Sequence, residues 1–310
     1  MRRTIDNRML ALFAALILSA SAGRAGAQAQ YRDVVDTTVS LERGGTLTVT
    51  VYGGRVSVVG ASGSQVRIRG RMDRDEMTIK ARQHSVSISM DSESHRGSGA
   101  DLDISVPLGT RVVLEGFSSS LSVRGVKGEA DLETMSGSVL VSDATGRVSA
   151  ETVSGRVQAT GIDGNLSAES VSGDLTIDNI EGDIESETVS GSIQITRARS
   201  KVVRAESVQG SITYDGTIDP SGNYSLATHS GRLTLAVPAT AGATVSLETF
   251  SGSVDSDFPV TLESGSSKGR GHESEFEFRI GDGRSRIVLE TFSGDIKIQR
   301  GTGRVTPERE

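Results

Sequence analysis

Glycines fall at positions 128, 137, 146, 155, 164, 173, 182 and 191, a spacing of nine held over eight members. This regularity constrains the fold more than any other feature of the chain. Apolar residues follow each glycine at the second, fourth and seventh positions: Val148, Ala150 and Val153, then Val157, Ala159 and Ile162, then Leu166, Ala168 and Val171. Side chains alternate along a strand with period two, so the second and fourth positions share one face. Each nonapeptide therefore reads as a short strand and a glycine turn, with the second, fourth and seventh positions expected inside.

Alternate nonapeptides differ. One kind ends in Val-Ser-Gly and the other in sequences such as Ile-Asp-Gly or Ile-Glu-Gly, so the structural unit is eighteen residues, seen where ETVSGRVQATGIDGNLSA is nearly restated by ESVSGDLTIDNIEGDIES. One unit predicts one coil of an all-β parallel solenoid whose strands stack about 4.8 Å apart in columns of like residues. One column, Phe117, Met135, Val153, Val171, Val189, Val208, His229, Phe250 and Phe292, is expected to point inward. A left-handed helix of three hexapeptides would place an apolar residue every six positions, which this chain does not do. A calcium roll of GGxGxDxUx nonapeptides needs aspartates at a fixed offset from glycine, whereas Asp143, Asp163 and Asp178 are scattered. The expected coil is right-handed, although nothing in the repeat itself sets the hand.

Gly210, Gly231, Gly252 and Gly294 carry the Val-Ser-Gly position onward in coils of 19 to 21 residues, the last interval reading as two successive coils. Upstream, LTVTVYGGRVSVVG, VRIRGR, VSISM and LDISVP are alternating strands between polar loops. The expected organisation is a signal peptide over residues 1–27, a capping region over 28–110, solenoid repeats over 111–300 and a polar tail over 301–310. Caps are needed because a bare terminal coil exposes an unpaired sheet edge.

Arg2, Arg3 and Arg8 precede the apolar run LALFAALIL and the small residues ending Ala25-Gly26-Ala27, the layout of a secretory signal peptide. That run is shorter than the ~20 residues of a membrane span. An exported protein, periplasmic or at the cell surface and with no transmembrane segment after cleavage, is the expectation. The chain has no cysteine and a net charge of −7, and cleavage would remove four arginines but one aspartate. Disulfide staples are excluded, and nucleic acid is an unsuitable partner because phosphate binding needs a basic surface.

The recurrent ETVSG, ESVSG and ETFSG units, each followed by an alternating strand such as SIQIT or DIKIQ, together with VPLGT and its echo VPATAG, resemble the bacterial family labelled "putative adhesin", a domain of unknown function built from β-strand repeats. The resemblance spans about residues 40 to 300. It implies this fold and an adhesive function, and brings no catalytic or ligand residue with it.

Candidate chemistry is sparse. Glu133, Glu151, Glu169, Glu187 and Glu206 open successive units and would form a surface stripe for a cation or glycan, next to a row of hydroxyls from Thr134, Thr152, Ser170, Thr188 and Ser207. The plainer alternative is a solvated row of carboxylates, with the hydroxyls bonding one another between coils. His84, His95, His229 and His272 have no nucleophile motif to serve, His229 reading as a core or edge residue. Arg147 and Arg156 fall in opposite half-coils, unlike the gathered charges of solenoid polysaccharide enzymes. The expectation is a non-enzymatic binding or scaffold module without a cofactor, whose partner is a glycan or another envelope protein. The alternatives are an envelope-stress or assembly accessory and a carbohydrate-active solenoid.

Overall fold

The computed structural model describes residues 33–72, 76–91, 99–259 and 274–301, all within the unit Tyr31–Glu310. The signal-peptide segment, His95, His272 and the tail beyond residue 301 lie outside the described residues. Among the described residues every regular element is a strand, and no helix is long and apolar enough to cross a membrane. The first six strands are β1 (Asp33–Ser40), β2 (Thr46–Ala61), β3 (Gln65–Met72), β4 (Glu76–Arg82), β5 (Ser85–Asp91) and β6 (Ala100–Pro107). They are followed by the long β7 (Arg111–Arg124).

The repeat proper forms two parallel ladders around one core. The first holds β8 (Ala130–Ser136), β10 (Val148–Ser154), β12 (Leu166–Ser172), β14 (Ile184–Ser190), β16 (Val202–Gln209) and β18 (Asn223–Ser230). The second holds β9 (Val139–Thr145), β11 (Val157–Asp163), β13 (Leu175–Glu181), β15 (Ile193–Ala198), β17 (Ile212–Gly216) and β19 (Leu233–Pro238). Val148 pairs with Leu166 and Val157 with Leu175, so each coil advances the register by one eighteen-residue unit, as the sequence predicts. Val157, Leu166 and Leu175 are buried, with Ala150, Ala159, Ala168 and Ile177 beside them. In the longer coils Tyr214 and Tyr224 enter the core edge to face, and the Tyr224 hydroxyl donates to the Ser200 carbonyl at 2.7 Å.

The seventh position divides the two ladders and corrects one expectation. In the second ladder Ala144, Ile162, Ile180 and Ala198 are buried as expected. The residue before each, Asp143, Gly161, Asn179 or Arg197, has a φ of 53° to 66°, and this left-handed residue, repeated in register from coil to coil, resets the alternation. The first ladder has no such residue. Alternation there runs on unbroken, burying Thr134, Thr152, Ser170, Thr188 and Ser207 and turning the next residue outward. The column from Phe117 to Phe292 therefore faces outward: Phe117 is 54% exposed, Val189 41%, Val208 45%, Phe250 45% and Phe292 49%, while Met135, Val153 and Val171 are half-buried.

Coil order at the ends supplies a second correction. The last strands are β20 (Ala243–Ser251), β21 (Val254–Ser256), β22 (Ser274–Ile280), β23 (Ser285–Ser293) and β24 (Ile296–Gly301). Strand β18 pairs with β23, not with β20, and β23 then pairs with β20. The final coil is thus inserted beneath its predecessor, and the long glycine interval is not two successive coils. SLETFS and VLETFS are nearly the same strand, so both satisfy the register offered by β18. Antiparallel β22 covers the outer edge of β20. The N-terminus is exchanged in the same way, because β2 lies between β7 on one side and β5 and β6 on the other. Antiparallel β4 borders β5, and antiparallel β3, backed by β1, borders β6.

Candidate functional site

The outward face of the first ladder carries the molecule's most ordered array of side chains. Glu115, Glu133, Glu151, Glu169, Glu187 and Glu206 are direct neighbours in register, so the predicted stripe exists as a geometric column. It is interrupted at Ala227 and resumes with Glu290 and Glu248. Two residues along each strand stands the apolar column, in the spatial order Phe117, Met135, Val153, Val171, Val189, Val208, His229, Phe292, Phe250.

Burial of the half-covered carboxylates raises the pKa of Glu151, Glu169 and Glu187 above the ordinary value. Neighbours in the column push the same way: Glu133 on Glu151, Glu151 and Glu187 on Glu169, and Glu206 on Glu187. Ser149 and Ser167 partly offset this by donating to Glu151 at 3.2 Å and Glu169 at 3.4 Å. Within the five-residue stripe, Glu206 alone forms an ion pair, with Arg204 at 2.8 Å. Among the described residues no group of three or more His, Asp or Glu side chains converges as a metal site. The column spreads its oxygens along a line, whereas a hard cation needs them gathered around a point.

The hydroxyls do not bond one another, and they are not on the surface. Thr152 donates to the Gly137 carbonyl, Ser170 to Gly155, Thr188 to Gly173, Ser207 to Gly191 and Thr228 to Gly210, all at 3.1 to 3.5 Å. Thr134 plays the same part toward Ser119, which replaces the glycine in its coil. They are structural ties between coils. His229 is not in the core: it is exposed, and its ring stacks on Phe292 at 4.8 Å and 8°. Phe250 stacks on the other side of Phe292 at 4.8 Å and 3°. His84 faces Glu42 at 3.5 Å at the far end of the molecule. Arg147 precedes β10 and Arg156 precedes β11, so they stand at different ladders.

The exposed apolar column is the surface feature that sequence reasoning misplaced. A signal was present: Asp143, Gly161 and Asn179 are residue types that tolerate positive φ, and they recur in the second ladder only. A left-handed residue in one half-coil and none in the other turns the two seventh positions opposite ways.

Three solved structures resemble the chain at low identity. A putative cell adhesion protein from Clostridium sporogenes aligns at 9% identity and a TM-score of 0.26, covering 86% of this chain and all of its own. A putative adhesin from Bacteroides fragilis aligns at 11% and 0.40, and one from Parabacteroides distasonis at 10% and 0.26, each covering 86% of this chain and 97% of its own. No curated protein matches the chain. The Toastrack DUF4097 family matches residues 24–299, nearly all of the two-ladder solenoid and its end strands, and the chain belongs to that family.

Proposed function

We propose that the protein is an exported, non-enzymatic binding and scaffold module, adhesive in character, that engages a glycan or another envelope protein through the outward face of the first ladder. The carrying observation is the side-by-side register of the carboxylate and apolar columns, which presents one chemistry repeatedly on a surface whose backbone is hydrogen-bonded from coil to coil. Repeated weak contacts on such a surface add through multivalency. Catalysis would call for unlike groups converging on one reacting atom, while this face repeats like groups along a line. A glycan array read together with a polymer hydrolysis assay tests the proposal. Binding without cleavage is the expected result for a glycan partner, and cleavage would replace the proposal with a carbohydrate-active solenoid. Absence of both would direct the search to envelope proteins.

A further inference from the structure

We infer that the apolar column and the glutamate column together form a docking face for a basic amphipathic helix of another protein, a narrower statement that rests on the binding-module reading above. Three observations select this occupant.

The first is charge. Glu133, Glu151, Glu169 and Glu187 have no ion pair among the described residues, and Glu185 adds negative charge beside them on the same face, whereas Asp131 and Glu206 are paired with Arg111 and Arg204. Crowded carboxylates next to an exposed apolar row complement a segment with apolar residues along one side and Lys or Arg beside them.

The second is ring orientation. His229, Phe292 and Phe250 are stacked nearly parallel at 4.8 Å, so their faces are turned toward one another along the coil axis and mainly ring edges meet solvent. A sugar packs its C–H face flat against an open ring face, which this arrangement withholds. Ring edges and valine methyls suit aliphatic side chains.

The third is spacing. The column repeats about every 4.8 Å, close to the 5.4 Å turn of an α-helix and far from the ~6.8 Å between same-side residues of an extended strand. Nine residues span about 38 Å, the length of a helix of about 25 residues. A helix along the coil axis makes about seven turns over the nine rungs, laying about one apolar side chain per turn along the column and bringing the flanking basic residues to the glutamates.

The test uses the purified protein and a synthetic helical peptide of about 25 residues with leucine on one face and lysine flanking it. A peptide with glutamate for lysine and a scrambled peptide of the same composition serve as controls. The lysine peptide should bind at least tenfold more tightly than either control and weaken as salt rises. The outward variants V153S/V171S/V189S and E151Q/E169Q/E187Q should each weaken it at least tenfold, with the melting transition retained. Equal binding of the control peptides, or an affinity unmoved by the serine variant, would overturn the inference. So would a wild-type dimer that the serine variant converts to monomer, because the column would then serve a second copy, or a glycan ligand lost in that variant. If the lysine peptide fails while glycan binding persists in both proteins, this inference falls and the binding-module reading stands. If neither ligand binds, this inference falls and the binding-module reading is left with an envelope protein of other chemistry as its partner.

Discussion

A β-carbon on Gly173 would lie 1.7 Å from the carbonyl oxygen of Gly155, one coil away. The obstacle is backbone on a hydrogen-bonded coil, so no side-chain rotation relieves it. Gly173→Ala should therefore destabilise the protein by about 3 kcal/mol or more. Gly109→Ala, where nothing lies within 4 Å, should stay within about 0.5 kcal/mol. Urea unfolding of the two variants checks the contrast.

The buried hydroxyl row predicts opposite signs at two of its positions. Thr152 donates to Gly137 at 3.3 Å, so Thr152→Val should cost about 1 kcal/mol. Thr291 occupies the equivalent place in β23, yet its buried hydroxyl has no partner. Thr291→Val removes an unsatisfied polar group and should be neutral or stabilising by about 1 kcal/mol. Destabilisation by both would show that Thr291 bonds its neighbouring coil in solution.

Stability should depend on pH through the glutamate column. Glu151, Glu169 and Glu187 have folded-state pKa values above their ordinary value of 4.5, so as pH rises the folded chain holds their protons longer than the unfolded chain. Below pH 4.5 the penalty is absent, and it grows as pH rises past that value and the column ionises. E151Q/E169Q/E187Q should raise Tm by about 3 °C at pH 7.5 in low salt and leave it unchanged near pH 4. The gain should shrink in high salt, and millimolar calcium should shift neither protein. Calorimetry across pH and salt reads this directly.

Because the register repeats every eighteen residues, removing residues 151–168 joins Ala150 to Glu169 with every column intact. That deletion should yield a folded solenoid one coil shorter. Removing residues 156–164 instead places the next half-coil on the wrong ladder and should abolish the cooperative transition. Circular dichroism melts of both deletions decide between an eighteen-residue and a nine-residue unit.

The inserted last coil predicts an unusual protection pattern. Strand β23 lies close to the C-terminus in sequence but is paired on one side with β18 and on the other with β20. Amides of Ile287 and Leu289 should exchange more slowly than those of β22, which pairs on one side only. A coil stacked last in chain order would instead fray first.

Legibility in the sequence tracked how local each determinant is. Coil length, ladder register and the buried second and fourth positions follow from the glycine spacing and from side-chain alternation, and Val148, Val157, Leu166 and Leu175 lie where those rules place them. The glutamate column was legible for the same reason, since residues one unit apart must become neighbours once the coil length is known.

Tertiary structure decided the rest. Whether a seventh position faces the core, as Ile162 does, or outward, as Val153 and Phe292 do, depends on whether the residue before it adopts positive φ, as Asp143, Gly161 and Asn179 do. The order of the terminal coils depends on which sheet edge is open when a strand arrives. Strands as alike as β20 and β23 carry the same local code and compete for the edge of β18, so only the closed assembly, with β22 covering β20, sets their places. The repeat thus determined the coil by itself, because its rules act within eighteen residues. The exchanged ends arose from contacts that no local pattern encodes, whereas the outward apolar column was marked locally only by Asp143, Gly161 and Asn179 in the other ladder.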